Sequence, residues 1–309
     1  MSRVALVQRG GNASVGRIAE IWSLLKEGVE EFFEDAAHSR GAAISFYAMT
    51  AMGPVLYITA WVAGIFLGSK AAHTHLIYQV RRVIGADTAQ MLQAAITAAG
   101  QIHGGILGTL AGVALLLFTA GGVFVEVQAA LNCIWKTPAP PFSWRGTLKS
   151  YLYSLALVGG LGLFLCASLL VNTMVGAFGT YFERLIGIGG GLVWLLNTGV
   201  SLGLITFLFA AIYRVLPNRT LEWGDVIHGA VITAILIVLG EYAIAFYLAE
   251  TALSHRYGSA GGAMAIMMWL YYSAQVFLLG AEITKVWSQR HGSPAARAAA
   301  AEIRLSRAA

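Results

Sequence analysis

The sequence predicts an all-α fold: a polytopic membrane bundle of six transmembrane helices, with interfacial amphipathic helices beside them and both termini cytoplasmic. Three observations carry that prediction. The 309 residues are 58% hydrophobic and 11% charged, where an ordinary soluble domain has roughly 25% charged residues, so lipid is the better solvent for this composition. Six apolar runs reach the length of about 20 residues that crosses a hydrocarbon core of about 30 Å. Lys and Arg are shared unevenly between the segments that join those runs.

Residues 1–40 are expected to form a cytoplasmic segment. Within it, "VGRIAEIWSLLKEGVEEFFEDAAHSR" sets Ile18, Ile21, Trp22, Leu25, Val29, Phe32 and Phe33 at helical spacing, with Glu20, Glu27, Glu30, Glu31 and Glu34 on the other side. Helices that bind anionic lipid surfaces are rich in Lys and Arg. This acidic helix is therefore expected to pack against the cytoplasmic ends of the bundle.

The membrane domain, residues 41–287, holds the six runs: Gly41 to Gly68, Gly105 to Leu131, Lys149 to Val175, Gly189 to Tyr213, Val226 to Ala249, and Ala260 to Lys285. In lipid each must satisfy its own backbone hydrogen bonds, and all are far longer than barrel strands, so all are helices. The first begins too late and runs too long for a cleaved signal peptide and reads as a permanent span. Its Pro54 is expected to kink the helix, on a face shared by Tyr47, Thr50, Tyr57 and Trp61. His75 to Gln101 reads as one or two short helices at the outer interface. The "KTPAPPFSW" segment, Lys136 to Trp144, is a cytoplasmic loop, because its prolines cannot continue a helix. The alanine- and arginine-rich tail, residues 288–309, is expected to be a flexible cytoplasmic end.

With a cytoplasmic amino terminus, fifteen of the 20 Lys and Arg residues fall in inner segments, and Lys70, Arg81, Arg82, Arg184 and Arg256 fall outside. That asymmetry is the signature of an inner-membrane protein with both ends inside. The net charge of +5 is then a topology signal, and no nucleic-acid partner is implied. Cys133 and Cys166 lie in different segments, which argues against a disulfide framework or zinc site. Gly104, Gly108 and Gly112 are spaced four apart, as are Gly199 and Gly203. Such faces let helices approach closely, within one chain or between copies in a homo-oligomer.

Motifs for soluble chemistry fail one by one. "GIFLGSK" has the wrong glycine spacing for a phosphate loop, and its serine precedes the lysine. "HTH" lacks the further ligands of a hydrolytic metal centre. No serine sits in a nucleophile elbow, and no potassium-filter sequence is present. No catalytic residue, cofactor or metal is expected.

The polar residues inside the spans remain as candidates for a substrate path. Glu241 lies at hydrocarbon depth, where an ionised acid costs on the order of 3 kcal/mol and must face the bundle interior or a wet cavity. Asn197 is at similar depth in the fourth span. Glu126, Gln128, Asn132, Arg214, His228 and Glu282 sit near the inner ends, where they could build a polar vestibule or snorkel to the interface and pair there. Gln275 shares a face of the sixth span with Met268, Tyr271, Leu278 and Glu282.

Four stretches, "GAAISFYAMTAMGP", "FVEVQAALNCIWKTP", "YRVLPNRTLEWGDVIHGA" and "YGSAGGAMAIMMWLYYSAQVFLLGAEITKVW", resemble the YihY/BrkB family of bacterial inner-membrane proteins. The likeness runs from Gly41 to Trp287 and is most specific at Gln128, Leu131, Asn132, Leu216, Pro217, Tyr257, Gly258 and Gly280 to Glu282. The resemblance implies six spans with both ends inside. Family members have carried the labels ribonuclease BN and virulence factor; the first finds no nuclease ligands here, and the second names a phenotype. A connection of relatives with envelope lipids implies a transporter or lipid translocator that works without ATP, acting on a lipid or small solute. The alternative is a membrane scaffold or assembly factor, and a third reading, a membrane-embedded enzyme, would need a catalytic constellation that the sequence does not offer. In the fifth span, where the family often has lysine, this chain has Glu241, so a mechanism relying on a cation there does not carry over.

Overall fold

The computed structural model describes residues 19–67, 121–137, 191–251 and 259–294, apart from 21 and 220, with isolated positions elsewhere. Every element in it is helical. Helix α1 covers residues 22–34, α2 Ala37–Leu67, α3 Gly121–Ile134, α4 Gly191–Val215, α5 Trp223–Thr251 and α6 Ser259–His291.

Three of these are long and apolar enough to cross a membrane, through Thr198–Val215 in α4, Trp223–Tyr247 in α5 and Gly261–His291 in α6. They coincide with the fourth, fifth and sixth predicted spans. Helix α2 is 31 residues long, about 46 Å at 1.5 Å per residue, and covers the first; it stays helical through Pro54. The second predicted span is described only from Gly121 onward, as α3. The third is described only at Phe164, Ala167, Ser168, Val171 and Met174, all helical. The His75 to Gln101 stretch, apart from Gln93, and the proline-rich linker beyond Thr137 lie outside the described residues, as do Gly104, Gly108 and Gly112.

Helix α6 is the organising element, packed along both α5 and α2, while α4 packs on α5. Helices α5 and α6 run antiparallel and meet through a reciprocal pair of small residues. Gly229 of α5 faces Thr284 of α6, and Gly280 of α6 faces Thr233 of α5. A Cβ on Gly229 would come within 2.6 Å of the Gly280 carbonyl oxygen, and one on Gly280 within 2.7 Å of the Tyr213 hydroxyl. Each threonine hydroxyl donates to a carbonyl one turn back, Thr233 to Gly229 at 2.8 Å and Thr284 to Gly280 at 2.7 Å. The clasp thus buries two hydroxyls with their bonds made, as apolar surroundings require. A third glycine, Gly240, leaves room for the Tyr272 ring, whose hydroxyl donates to the Leu236 carbonyl at 2.7 Å.

By contrast, Gly199 and Gly203, where the sequence suggests close approach within the chain or between copies, have no group within 4 Å of a Cβ position among the described residues. The close approaches between α5 and α6 are made by glycines paired with threonine or tyrosine on the facing helix. Spacing along one helix carries no information about those partners.

The hydrophobic core sits at one end of the bundle. Leu131, Ile134 and Trp135 from the end of α3, Tyr213 and Leu216 from the end of α4, Val226 and Ala230 from the start of α5, and Phe277, Leu278 and Ala281 of α6 form it, with Phe32 of α1 and Ile44 of α2. Toward the other end, Leu195, Leu239, Tyr242, Phe246 and Met264 are exposed. An apolar surface of that kind suits lipid tails.

Helix α1 lies along the carboxyl-terminal half of α6, which is why α6 continues past the predicted edge at Lys285 to His291. Gly28 brings the two backbones together, since a Cβ there would stand 2.8 Å from Ile283 Cγ1. The acids of α1 meet the basic turns of α6: Glu27 pairs with Arg290, and Glu20 with His291 at 2.9 Å. Those basic residues also complement the carboxyl end of the α6 dipole. The sequence-derived expectation that this acidic helix packs on the bundle agrees with the arrangement.

Candidate functional site

Glu282 stands on α6 three residues before Lys285, and neither side chain reaches water. Glu282 is 0% and Lys285 3% exposed. Lys285 Nζ donates to Glu31 Oε2 at 2.5 Å, Glu282 Oε2 at 2.8 Å and Asp35 Oδ2 at 3.2 Å. An ammonium has three N–H donors, so Lys285 spends all of them on carboxylates. The other oxygen of Asp35 takes Lys136, from the end of α3. Five charged groups from α1, the α1–α2 turn, α3 and α6 thus converge on one point.

The local backbone explains how they meet. Asp35 and Ala36 form the turn between α1 and α2, with Ala36 at φ 50°. Lys136 closes α3 at φ 51°, with its N–H bonded to the Cys133 carbonyl and the Thr137 N–H bonded to the Asn132 carbonyl. That pair of bonds is a Schellman motif with Lys136 at the left-handed position. Two helix ends therefore aim Asp35 and Lys136 at each other. Burial pushes the Asp35 carboxyl up, and its hydrogen bond to Lys136 with the nearby Lys285 charge outweighs this and holds it below the usual carboxylate range.

Oxygens of Glu31, Asp35 and Glu282 lie within 4.8 Å of one another, a spacing that could hold a metal ion. Lys285 already stands among them as the cation. Glu282, expected near an inner span end to line a polar vestibule or to snorkel to the interface and pair there, is paired but enclosed, because Lys285 from the same helix and the docked α1 supply its surroundings.

Gln128, Asn132, Leu216 and Pro217, among the positions that carry the resemblance, build a second unit beside this cluster. Gln128 Nε2 donates to the Leu216 carbonyl at 3.1 Å and to Asn218 Oδ1 at 3.4 Å, and the Asn218 N–H donates to Asn132 Oδ1 at 2.8 Å. The end of α3 thereby holds the α4–α5 turn, whose Leu216 and Pro217 are buried. Arg219 of that turn stacks over Trp135, 5.4 Å from the ring centre. Arg214 donates to the Leu221 carbonyl at 3.1 Å and lies over the Trp223 ring.

Asp225, which the sequence reading passed over, ties this end to the tail of α6. It is 2% exposed and accepts from the Ser293 N–H at 2.8 Å, the Ser293 hydroxyl at 3.0 Å and the Glu222 N–H at 3.2 Å. An acid in the first turn of an apolar helix was the available signal.

The remaining candidates are dispersed. Glu126 is 3.8 Å from Arg40 of α2. Gln275 donates to the His38 carbonyl at 3.0 Å and packs against Gly41, while its Oε1 is buried without a partner. His228 stacks on Trp287 at 4.1 Å, and Trp287 on His291 at 4.7 Å. Glu241 is half-buried on α5, one residue beyond the Gly240–Tyr272 contact, and makes no hydrogen bond or ion pair among the described residues. Asn197 falls within α4, and its side chain, like that of Pro54, lies outside the described residues.

Comparison with known proteins agrees with this picture. The sequence profile of the family described as Virulence factor BrkB matches residues 29–304. A UPF0761 membrane protein of Tolumonas auensis is 31% identical over 178 residues, 57% of this chain and 56% of that protein. A UPF0761 membrane protein of Rhodospirillum centenum is 25% identical over 272 residues, 87% of this chain and 58% of its own length. A putative ribonuclease-like protein, YfkH of Bacillus subtilis, is 34% identical over 104 residues, 33% of this chain and 38% of that protein. The chain thus spans somewhat over half the length of the UPF0761 relatives. No solved structure matches. The profile extends over residues 29–34 of α1 and all of α2 to α6, the elements that hold the charge cluster and the α3 clamp, and the chain belongs to the Virulence factor BrkB family of membrane proteins, the YihY/BrkB family.

Proposed function

We propose that this chain is a transporter or lipid translocator of the bacterial cytoplasmic membrane, working without ATP on a lipid or small solute. The observation that carries the reading is Glu241. An ionised acid within an apolar helix costs on the order of 3 kcal/mol, and the described residues offer this one no cation and no hydrogen bond. Packing alone would be served better by leucine. The acid is accounted for when a substrate or coupling ion visits it, with Asn197 of α4 as the second polar group of the path. The bonded inner end supports the same reading. There Gln128, Asn132, Arg214 and Asp225 hold chain ends together, leaving the half of α4 and α5 around Glu241, with fewer bonds among the described residues, as the part free to rearrange.

Mass spectrometry of lipids and small molecules retained by purified protein tests this, comparing wild type with Glu241→Leu at matched folding. A specific envelope lipid or solute held by the wild type and lost in the variant is the expected result, followed by flux of that molecule in proteoliposomes. The same bulk lipid in both proteins, with unchanged flux, removes Glu241 from the mechanism.

A scaffold role is favoured by one observation only: Trp22, Val29 and Phe33 of α1 are exposed. Glu20, Glu27 and Glu31 are engaged with α6, which leaves this apolar stripe as the surface for a partner. One reproducible cross-linked partner in a protein without flux would support it.

A further inference from the structure

The charge cluster does not balance. Glu31, Asp35 and Glu282 face only Lys285 and Lys136, so three carboxylates meet two ammonium groups. Among the described residues, the elements packed around them bring no further charged group into contact with the cluster. From α5 the residues against this part of α6 are Gly229 and Thr233, with His228 stacked on Trp287, from α4 the Tyr213 hydroxyl, and Arg40 of α2 is paired with Glu126. Within the cluster, one buried atom is left over. Among the described residues Glu282 Oε1 has no hydrogen-bond partner, on a side chain with no exposure. A buried ionised oxygen without a donor is among the most costly arrangements in a protein interior.

We propose that Glu282 Oε1 is a proton-binding site. A proton there neutralises the cluster and leaves every bond of Lys285 in place, since Lys285 uses Oε2. A metal ion fits less well. The three carboxylates that would ligate it already hold the Lys285 ammonium, so an ion would have to displace a tethered cation or bind through Oε1 alone. The proton is the one cation that needs a single oxygen. Because Glu31 and Asp35 belong to α1 and its turn while Glu282 belongs to α6, the charge on Glu282 also sets how strongly α1 is held. As the coupling ion of transport the proton rests on the function proposed above; as a binding site it does not.

The experiment is pH-difference infrared spectroscopy of the full chain in lipid vesicles, comparing wild type, Glu282→Gln, Glu282→Asp and Glu241→Gln, each first shown to be monodisperse. A carboxylic-acid carbonyl band that titrates in the wild type, is lost in Glu282→Gln, shifts in Glu282→Asp and persists in Glu241→Gln is expected. Where Glu282→Gln does not fold, the shift in Glu282→Asp alone assigns the band. Identical spectra in the wild type and the Glu282 variants overturn the proposal. So does a wild-type band abolished by Na⁺ or Mg²⁺ at constant pH, which would make the site a metal site. A titrating Glu282 band in a protein without flux keeps the proton site and retires transport. Flux indifferent to a pH gradient removes the coupling role.

Discussion

Replacing Lys285 with methionine removes the centre of the buried cluster and keeps most of the volume. Lys285 is 3% exposed and lies 2.5 to 3.2 Å from three carboxylates, of which Glu282 and Asp35 are 0% and 7% exposed and Glu31 is 21% exposed. Each pair at about 3 Å attracts by about 5 kcal/mol at an effective dielectric of about 20. Desolvation offsets most of that while the pairs are intact. Removing one partner strands the others, at a typical cost of about 3–5 kcal/mol. With Glu282 and Glu31 stranded and Asp35 left with Lys136 alone, Lys285→Met is expected within that range. Thermal unfolding in detergent, followed by tryptophan fluorescence, should show a loss on the order of 10 °C. The double variant Lys285→Met, Glu282→Leu removes the fully enclosed carboxylate and leaves Asp35 with Lys136. It should recover more than half of the loss. A single variant that unfolds within about 2 °C of wild type, or a double variant no better than the single, would refute the argument that these charges are mutually dependent.

Three further outcomes follow from the packing. Gly280→Val would push into Thr233 and the Tyr213 hydroxyl, and is expected to destabilise by about 3 kcal/mol or more, read as lost monodispersity and a lower unfolding temperature. Asp225→Ala strips three bonds from the Ser293 and Glu222 groups. It should cost about 2–3 kcal/mol and raise the rate at which a protease clips the tail after α6, with the unfolding of the remaining bundle as control. Asp35 has a folded pKa below its unfolded value, so its contribution is fully present above the usual carboxylate range and is lost as pH falls through the lower folded value. The stability gap between wild type and Asp35→Asn should therefore be widest near neutral pH and close in acid; a gap independent of pH would sink the assignment.

Much of this organisation is legible without coordinates. The run lengths and composition locate α2, α4, α5 and α6, because a hydrocarbon solvent allows only self-satisfied backbone and writes its thickness into the sequence. The acidic face of α1 marks a helix that packs on the bundle, but its pairing with the basic end of α6 comes from the tertiary structure. The place of Glu282 was harder to read. Sequence sets it three residues from Lys285 at the edge of a span, where a carboxylate has the choice of water or a partner. Which it takes depends on α1 lying over that turn of α6, through Gly28 and Ile283, and on α3 ending at Lys136.

The same division holds for the glycines and for the family-specific polar residues. Spacing marks Gly199 and Gly203, but tight packing falls at Gly229, Gly240 and Gly280, where another helix presents a threonine or tyrosine. Gln128 and Asn132 read as polar groups near a span end, and only the tertiary structure turns them toward the backbone of the α4–α5 turn. The sequence by itself determined the helical class, the long apolar elements and the scarcity of charge, because those depend on solvent and on local periodicity. The tertiary structure alone decided which charges share a site and which oxygen is left unpaired, because distances between groups more than 100 residues apart are set by how helices cross and not by their order.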